Sequence, residues 1–154
     1  RELQGHFALD RRSFEEALIR AMKDEAARAG ADWNVVRRAD AAPRDSGDWS
    51  NLMLLVRRAL PSAEREVLEG PGRLLLVHPG LLGRYGQVEF LGRLRDALSR
   101  PSSLHALWVL VPADAQSALP VLDGHPIPVL TPGQWARIPE PWLQNLHKSH
   151  LPAA

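Results

Sequence analysis

Four polar residues stand where an open α/β sheet collects ligands: Asp40, His78, Asp114 and Thr131. Each follows, or closes, a stretch that reads as a strand, and such sheets bind small molecules outside the carboxyl ends of their strands. Two carboxylates and an imidazole at one sheet edge could carry general acid–base chemistry. Histidine titrates near neutral pH, and a neighbouring carboxylate can orient its ring. Arg44 and Tyr85 lie on adjoining loops and could join such a crevice. The plainer role for the same residues is structural, because polar groups after strands cap helices and close turns.

Other chemistries have weaker footing. Gly80, Gly83 and Gly86 sit between a strand and a helix, but their spacing is three and three. A dinucleotide fingerprint needs its first two glycines one residue apart. Close packing of a turn explains them more simply, although a helix start there could still attract an anion. The six histidines are scattered, and His147 with His150 lacks acidic or thiolate companions for a metal. No cofactor is implied. There is no cysteine, which removes disulfides and thiolate sites, and no Gly-x-Ser-x-Gly elbow for a hydrolase. Arginines are many: Arg57, Arg58, Arg65, Arg84, Arg93, Arg95 and Arg100. Arg84, Arg93 and Arg100 could form a positive face for nucleic acid, yet the arginines have acidic neighbours in sequence, such as Glu64, Glu66, Glu89 and Asp96, and a charge-balanced solvated face is the plainer role. Of the five tryptophans, Trp108 falls in an apolar strand and is assigned to the core. Trp142, with Leu146 one helical turn on, is the better candidate to anchor a protein partner.

These residues depend on elements that the sequence pattern outlines. Ser13-Phe14-Glu15-Glu16 is a capping box, and Phe14, Leu18, Met22 and Ala26 form one apolar stripe, ending at Gly30. Trp33 to Ala39 is predicted as a short edge strand. Asp48 should cap a helix that buries Trp49, Leu52, Val56 and Leu60 and is broken by Pro61. Leu74–Val77 and Leu104–Val111 read as buried, central strands around a helix over 87–99. Asp123-Gly124 is a turn pair, and Ile127 to Leu130 is a third short strand in that half. Thr131-Pro132-Gly133-Gln134 starts another helix, and Glu140-Pro141-Trp142 a last one. Apolar strands alternating with amphipathic helices imply parallel pairing. The expected fold is a three-layer α/β domain with a mostly parallel sheet of about four strands, residues 1–12 and 149–154 being flexible.

Composition agrees with a single domain. The chain has 154 residues, 45% of them hydrophobic, with a net charge of +1 from 19 basic and 18 acidic side chains. Such a balance calls for neither nucleic acid nor a membrane surface. No apolar run nears the ~20 residues of a membrane span, so a cytoplasmic setting is expected. The start at Arg1 suggests a piece excised from a larger protein.

Three phrases carry a family resemblance. They are Arg73-Leu74-Leu75-Leu76-Val77-His78-Pro79-Gly80-Leu81-Leu82-Gly83-Arg84-Tyr85-Gly86, then Leu107-Trp108-Val109-Leu110-Val111-Pro112-Ala113-Asp114, then Pro128-Val129-Leu130-Thr131-Pro132-Gly133-Gln134-Trp135-Ala136-Arg137-Ile138-Pro139. Together they resemble the carboxy-terminal region of large proteins in bacterial anti-phage systems of the BREX, or phage growth limitation, type, and among these the large ATPase component. About half of the chain carries the likeness, and none of its motifs is a catalytic signature. The resemblance implies a non-catalytic tail domain beside an ATPase, a DNA methyltransferase and other defence proteins. Any phosphate loop would then lie upstream of Arg1. Three functions follow as expectations: an accessory domain contacting proteins of the same defence system, a DNA-binding module, or a small-ligand or enzymatic site at the strand ends.

Overall fold

A computed structural model describes residues 9–69, 72–98, 104–112 and 117–139. The order is β1 (Leu9–Ser13), α1 (Phe14–Arg28), α2 (Trp33–Asp40), α3 (Gly47–Leu68), β2 (Gly72–Val77), α4 (Gly80–Arg84), α5 (Glu89–Leu98) and β3 (Leu104–Val109). A two-residue pair, β4 (Val121–Leu122) and β5 (His125–Pro126), and a 3-10 turn over Pro132–Gln134 follow. β1, β2 and β3 form a parallel sheet in that order, flanked by helices. The α/β class and the parallel sheet are as the sequence implies, with three strands in place of about four.

Alternation along β2 sorts the core. Leu74 and Leu76 face the helices and join Phe14, Leu18, Val56, Leu82, Phe90 and Leu94 in the main cluster. The opposite face buries Leu75 and Val77 beside Leu9. A strand puts successive side chains on opposite faces, so a continuous apolar run is what a sheet buried on both sides needs. Phe14 and Phe90 meet with ring centroids 4.9 Å apart, tying α1 to α5.

α1 begins with the Ser13 half of its capping box: the Ser13 hydroxyl accepts from the Glu16 N–H at 3.3 Å. It ends where Gly30 turns to φ 68°, and the Ala31 N–H reaches back to the Ala26 carbonyl at 2.9 Å. α3 is capped by Ser46, whose hydroxyl accepts from the Trp49 N–H at 3.1 Å, and not by Asp48.

Six further expectations need correction. The strand from Leu104 is not central: among the described residues it pairs with β2 alone, ends the order β1-β2-β3 and is half-buried or exposed beyond Leu104. Residues 33–40 are helical, not an edge strand. The Asp32 carboxylate accepts the Asn34 N–H at 2.7 Å, and the fold buries Val36 and Ala39 one turn apart. Capping and packing here override the β preference of Val35 and Val36. Pro61 does not stop α3, which runs 22 residues through it. Pro61 is exposed, so the Arg57 carbonyl that loses its amide partner opens to water, while Leu60 and Ala63 stay buried. A strand, Leu9–Ser13, precedes the first helix. Trp108 is 42% exposed rather than core. It stands opposite Leu75 on β3, whose one paired neighbour among the described residues is β2, whereas Leu107 and Val109 face the helices. Ile127 to Leu130 forms no strand; the pairing falls on Val121–Leu122 and His125–Pro126 instead. Asp123 and Gly124 between them take φ values of 48° and 79°, the two left-handed residues of a tight hairpin turn.

Candidate functional site

The carboxyl ends of β1 and β2 bring Ser13 and His78 together. Ser13 closes β1 and caps α1; His78 follows β2 with φ 54°. That backbone region is uncommon for any residue except glycine and marks a place held by its surroundings. The Ser13 Oγ and the His78 Nδ1 lie 3.3 Å apart. Since Oγ already accepts the Glu16 N–H, its own proton is free to be donated to an unprotonated Nδ1. The pair edges an open depression of about 540 Å³, with Glu15, Ile19 and Lys23 along its wall. Its charges are partly committed: Arg20 bonds Glu66 on α3, and Lys23 sits 5.5 Å over the Trp33 ring.

Asp40 belongs to a different place. It closes α2, not a strand, and it binds Arg84 and Tyr85. Arg84 donates from Nε to Asp40 Oδ1 at 2.9 Å and from Nη2 to Oδ2 at 3.0 Å, with a further bond to the Asp40 carbonyl at 2.8 Å. The Tyr85 hydroxyl donates to Asp40 Oδ1 at 3.1 Å. Hydrogen bonding to Asp40 raises the Arg84 pKa despite partial burial. Burial first, and then the charge of Asp40, pushes the Tyr85 phenol up to about 12. Arg84 and Arg44 lie 5.9 and 5.5 Å over the Trp49 ring, and Arg44 reaches Asp123 at 3.6 Å. The cluster therefore joins α2, α3, α4 and the β4–β5 turn as a staple.

The residues singled out from the sequence are thus dispersed. No hydrogen bond or ion pair joins Asp40, His78 and Thr131 among the described residues. Thr131 opens the 3-10 turn without a side-chain cap bond, and the Leu130 N–H donates to the Gln134 Oε1 at 2.6 Å instead. Arg84 is spent on Asp40, and Arg93 pairs with Glu64 at 3.4 Å while lying over Phe90. Asp114, Arg100, Trp142 and Leu146 lie outside the described residues. Among the described residues no group of three His, Asp or Glu could hold a metal, and no helix is long and apolar enough to cross a membrane.

Sequence reasoning missed two features. Ser13 was visible as a cap but not as a strand end, because Leu9-Asp10-Arg11-Arg12-Ser13 lacks an apolar run. A groove of about 400 Å³ between α1, α2 and α3 was also hidden, because it exists only if residues 33–40 are helical. Val35 and Leu54 line it and are 49% and 48% exposed.

With the geometry in place, comparison with known proteins adds one relation. The chain is similar to part of the probable kinase PglW of Streptomyces coelicolor. The two are 31% identical over 124 residues, which is 75% of this chain and 8% of PglW. The chain thus spans less than a tenth of that protein's length. The likeness supports a relation to proteins of the phage growth limitation group, and not the narrower assignment to the tail of a large ATPase component. No family model matches the chain, and no solved structure matches it.

Proposed function

We propose that this chain is a non-catalytic accessory domain that makes protein contacts within a larger bacterial anti-phage defence protein, acting in the cytoplasm. The observation that carries this reading is the groove between α1, α2 and α3. It leaves Val35 and Leu54 half exposed in one recess, whereas most other large apolar side chains among the described residues are buried or partly buried, the exceptions being Trp108, Leu110, Leu119 and Leu130 outside it. Exposed apolar side chains lining a recess are a usual mark of a protein contact. The relation to PglW adds the setting, since the match is to a small fraction of a much longer protein. Kinase or ATPase chemistry, in this reading, belongs to other parts of the parent protein. The test is cross-linking of the intact parent protein with its defence-system companions, followed by mapping of the linked residues. Links from α2 or α3 to another domain or protein are expected. An assembly in which this chain gives no cross-links at all would sink the reading.

A second reading, a small-ligand site, is favoured by one observation: the Ser13–His78 contact beside a depression at the strand ends. It predicts that His78→Ala abolishes ligand-induced stabilisation in a metabolite screen. Absence of any stabilising ligand for the unaltered chain would remove it.

A further inference from the structure

The exposed side of α3 separates its charges. Asn51, Leu54, Arg57, Arg58, Pro61 and Arg65 form its outward stripe, at helical spacing. Two of the three acids of the same helix turn aside: Glu64 pairs with Arg93 and Glu66 with Arg20. Arg57, Arg58 and Arg65 make no ion pair or side-chain hydrogen bond among the described residues. Arg58 also lines the groove, beside Val35, Val36, Leu54 and Leu55. Among the groove's other charges, Glu25 and Arg28 neutralise one another. Asp48 stands in the first turn of α3, nine residues before Arg57, or about 13 Å along the axis. An apolar slot therefore runs into a strip of uncompensated arginines.

We propose that this slot and strip form the docking surface for an amphipathic helix of a protein partner, with apolar side chains on one stripe and carboxylates on its flank. The inference rests on the interaction reading above and adds the place and the chemistry of the contact. Helices lay apolar stripes into such grooves, and Arg is the residue suited to bidentate carboxylate contacts. Charge complementarity selects an acidic flank. A nucleic-acid partner is the poorer fit, because phosphate binding needs cations and gives half-exposed Val35 and Leu54 nothing to do.

The test uses the whole chain, isotope-labelled for amide shifts, and a designed helical peptide of about 18 residues, roughly 27 Å long. One version carries Leu on its stripe with Glu flanks; a second replaces every Glu by Lys; a short DNA duplex is the third probe. The acidic peptide should move the amides of Val35, Leu54 and Arg58. The R57E/R58E double variant should weaken it about tenfold, as the loss of two exposed ion pairs would. The same variant should gain binding to the lysine peptide. Leu54→Ser, at a half-exposed position that leaves folding intact, should also weaken the acidic peptide. Equal binding of both peptides to the unaltered chain, no shifts with either, or larger shifts of the same amides by the duplex would overturn the proposal. Cross-links of the parent protein that fall only on other faces would sink this surface and leave the interaction reading standing. A parent assembly without cross-links would sink that reading instead.

Discussion

Substituting Gly83 by alanine should destabilise the domain, and the structure says why. An alanine Cβ there would lie 2.5 Å from the Leu122 carbonyl oxygen, 2.6 Å from its carbon and 2.9 Å from the Asp123 Cβ. The obstacle is backbone, so it cannot swing aside as a flexible side chain would. Relief requires α4 and the β4–β5 turn to separate, and Leu122 is buried between them. Overpacking of this kind costs about 1–3 kcal/mol. Against it stands the gain from replacing a helical glycine, at most about 1 kcal/mol and less in a five-residue helix. The steric effect wins by about 1–2 kcal/mol, which for a chain of this size lowers the melting temperature by roughly 2–8 °C. Gly80→Ala is the matched control. A Cβ at Gly80 meets nothing within 4 Å, so that variant should be neutral or more stable by about 0.5 kcal/mol. Urea unfolding followed by tryptophan fluorescence reads both. A Gly83→Ala domain as stable as its parent would refute the close approach of turn and helix.

The single tyrosine gives a clean alkaline probe. Its folded pKa is raised to about 12 from 10.0, so its contribution to stability is complete below pH 10.0 and is lost as the pH climbs to about 12. Phenolate absorbance should show this late titration, and Asp40→Asn should bring it earlier while leaving it above the ordinary value, because burial remains. An unshifted titration in the unaltered chain would contradict the burial of the phenol, and a titration that Asp40→Asn leaves unmoved would contradict the Asp40–Tyr85 contact. Asp40→Asn should also cost about 1 kcal/mol in urea unfolding, a modest loss because both partners are partly exposed. Pro61→Ala should stabilise by about 1–2 kcal/mol, since it restores an amide donor to the Arg57 carbonyl and the helix penalty of proline exceeds its unfolded-state benefit. No change in unfolding midpoint would mean that the last turns of α3 had already adjusted around the proline.

The readable parts of the fold were those where local chemistry and tertiary packing agree. The capping box at Ser13, the stripe Phe14–Leu18–Met22, the apolar run of β2 and the Asp123-Gly124 turn each have a local cause that the packing preserves. The misread parts were those where packing overrides the local signal. Val35 and Val36 favour a strand until Asp32 caps them into a helix. Pro61 breaks a helix unless its missing bond faces water. Trp108 belongs in a core only if its strand is flanked on both sides, and among the described residues β3 pairs with β2 alone, which leaves Trp108 half exposed while Leu75 on the neighbouring strand is buried.

The same rule governs the charges. Arg84 and Arg93 looked available because sequence neighbours cannot show that Asp40, 44 residues away, and Glu64, 29 residues away, are their partners. Asp40 and Arg84, assigned from sequence to separate sites, turn out to complete one another. Arg57, Arg58 and Arg65 looked balanced by Glu64 and Glu66, but the helix turns those acids to other arginines and, among the described residues, leaves its outward side without an ion pair. What a charge can recognise is set by what the fold leaves it after its own neighbours are satisfied. On that measure the outward side of α3, with the slot beside it, is the surface among the described residues on which the proposed helix would dock.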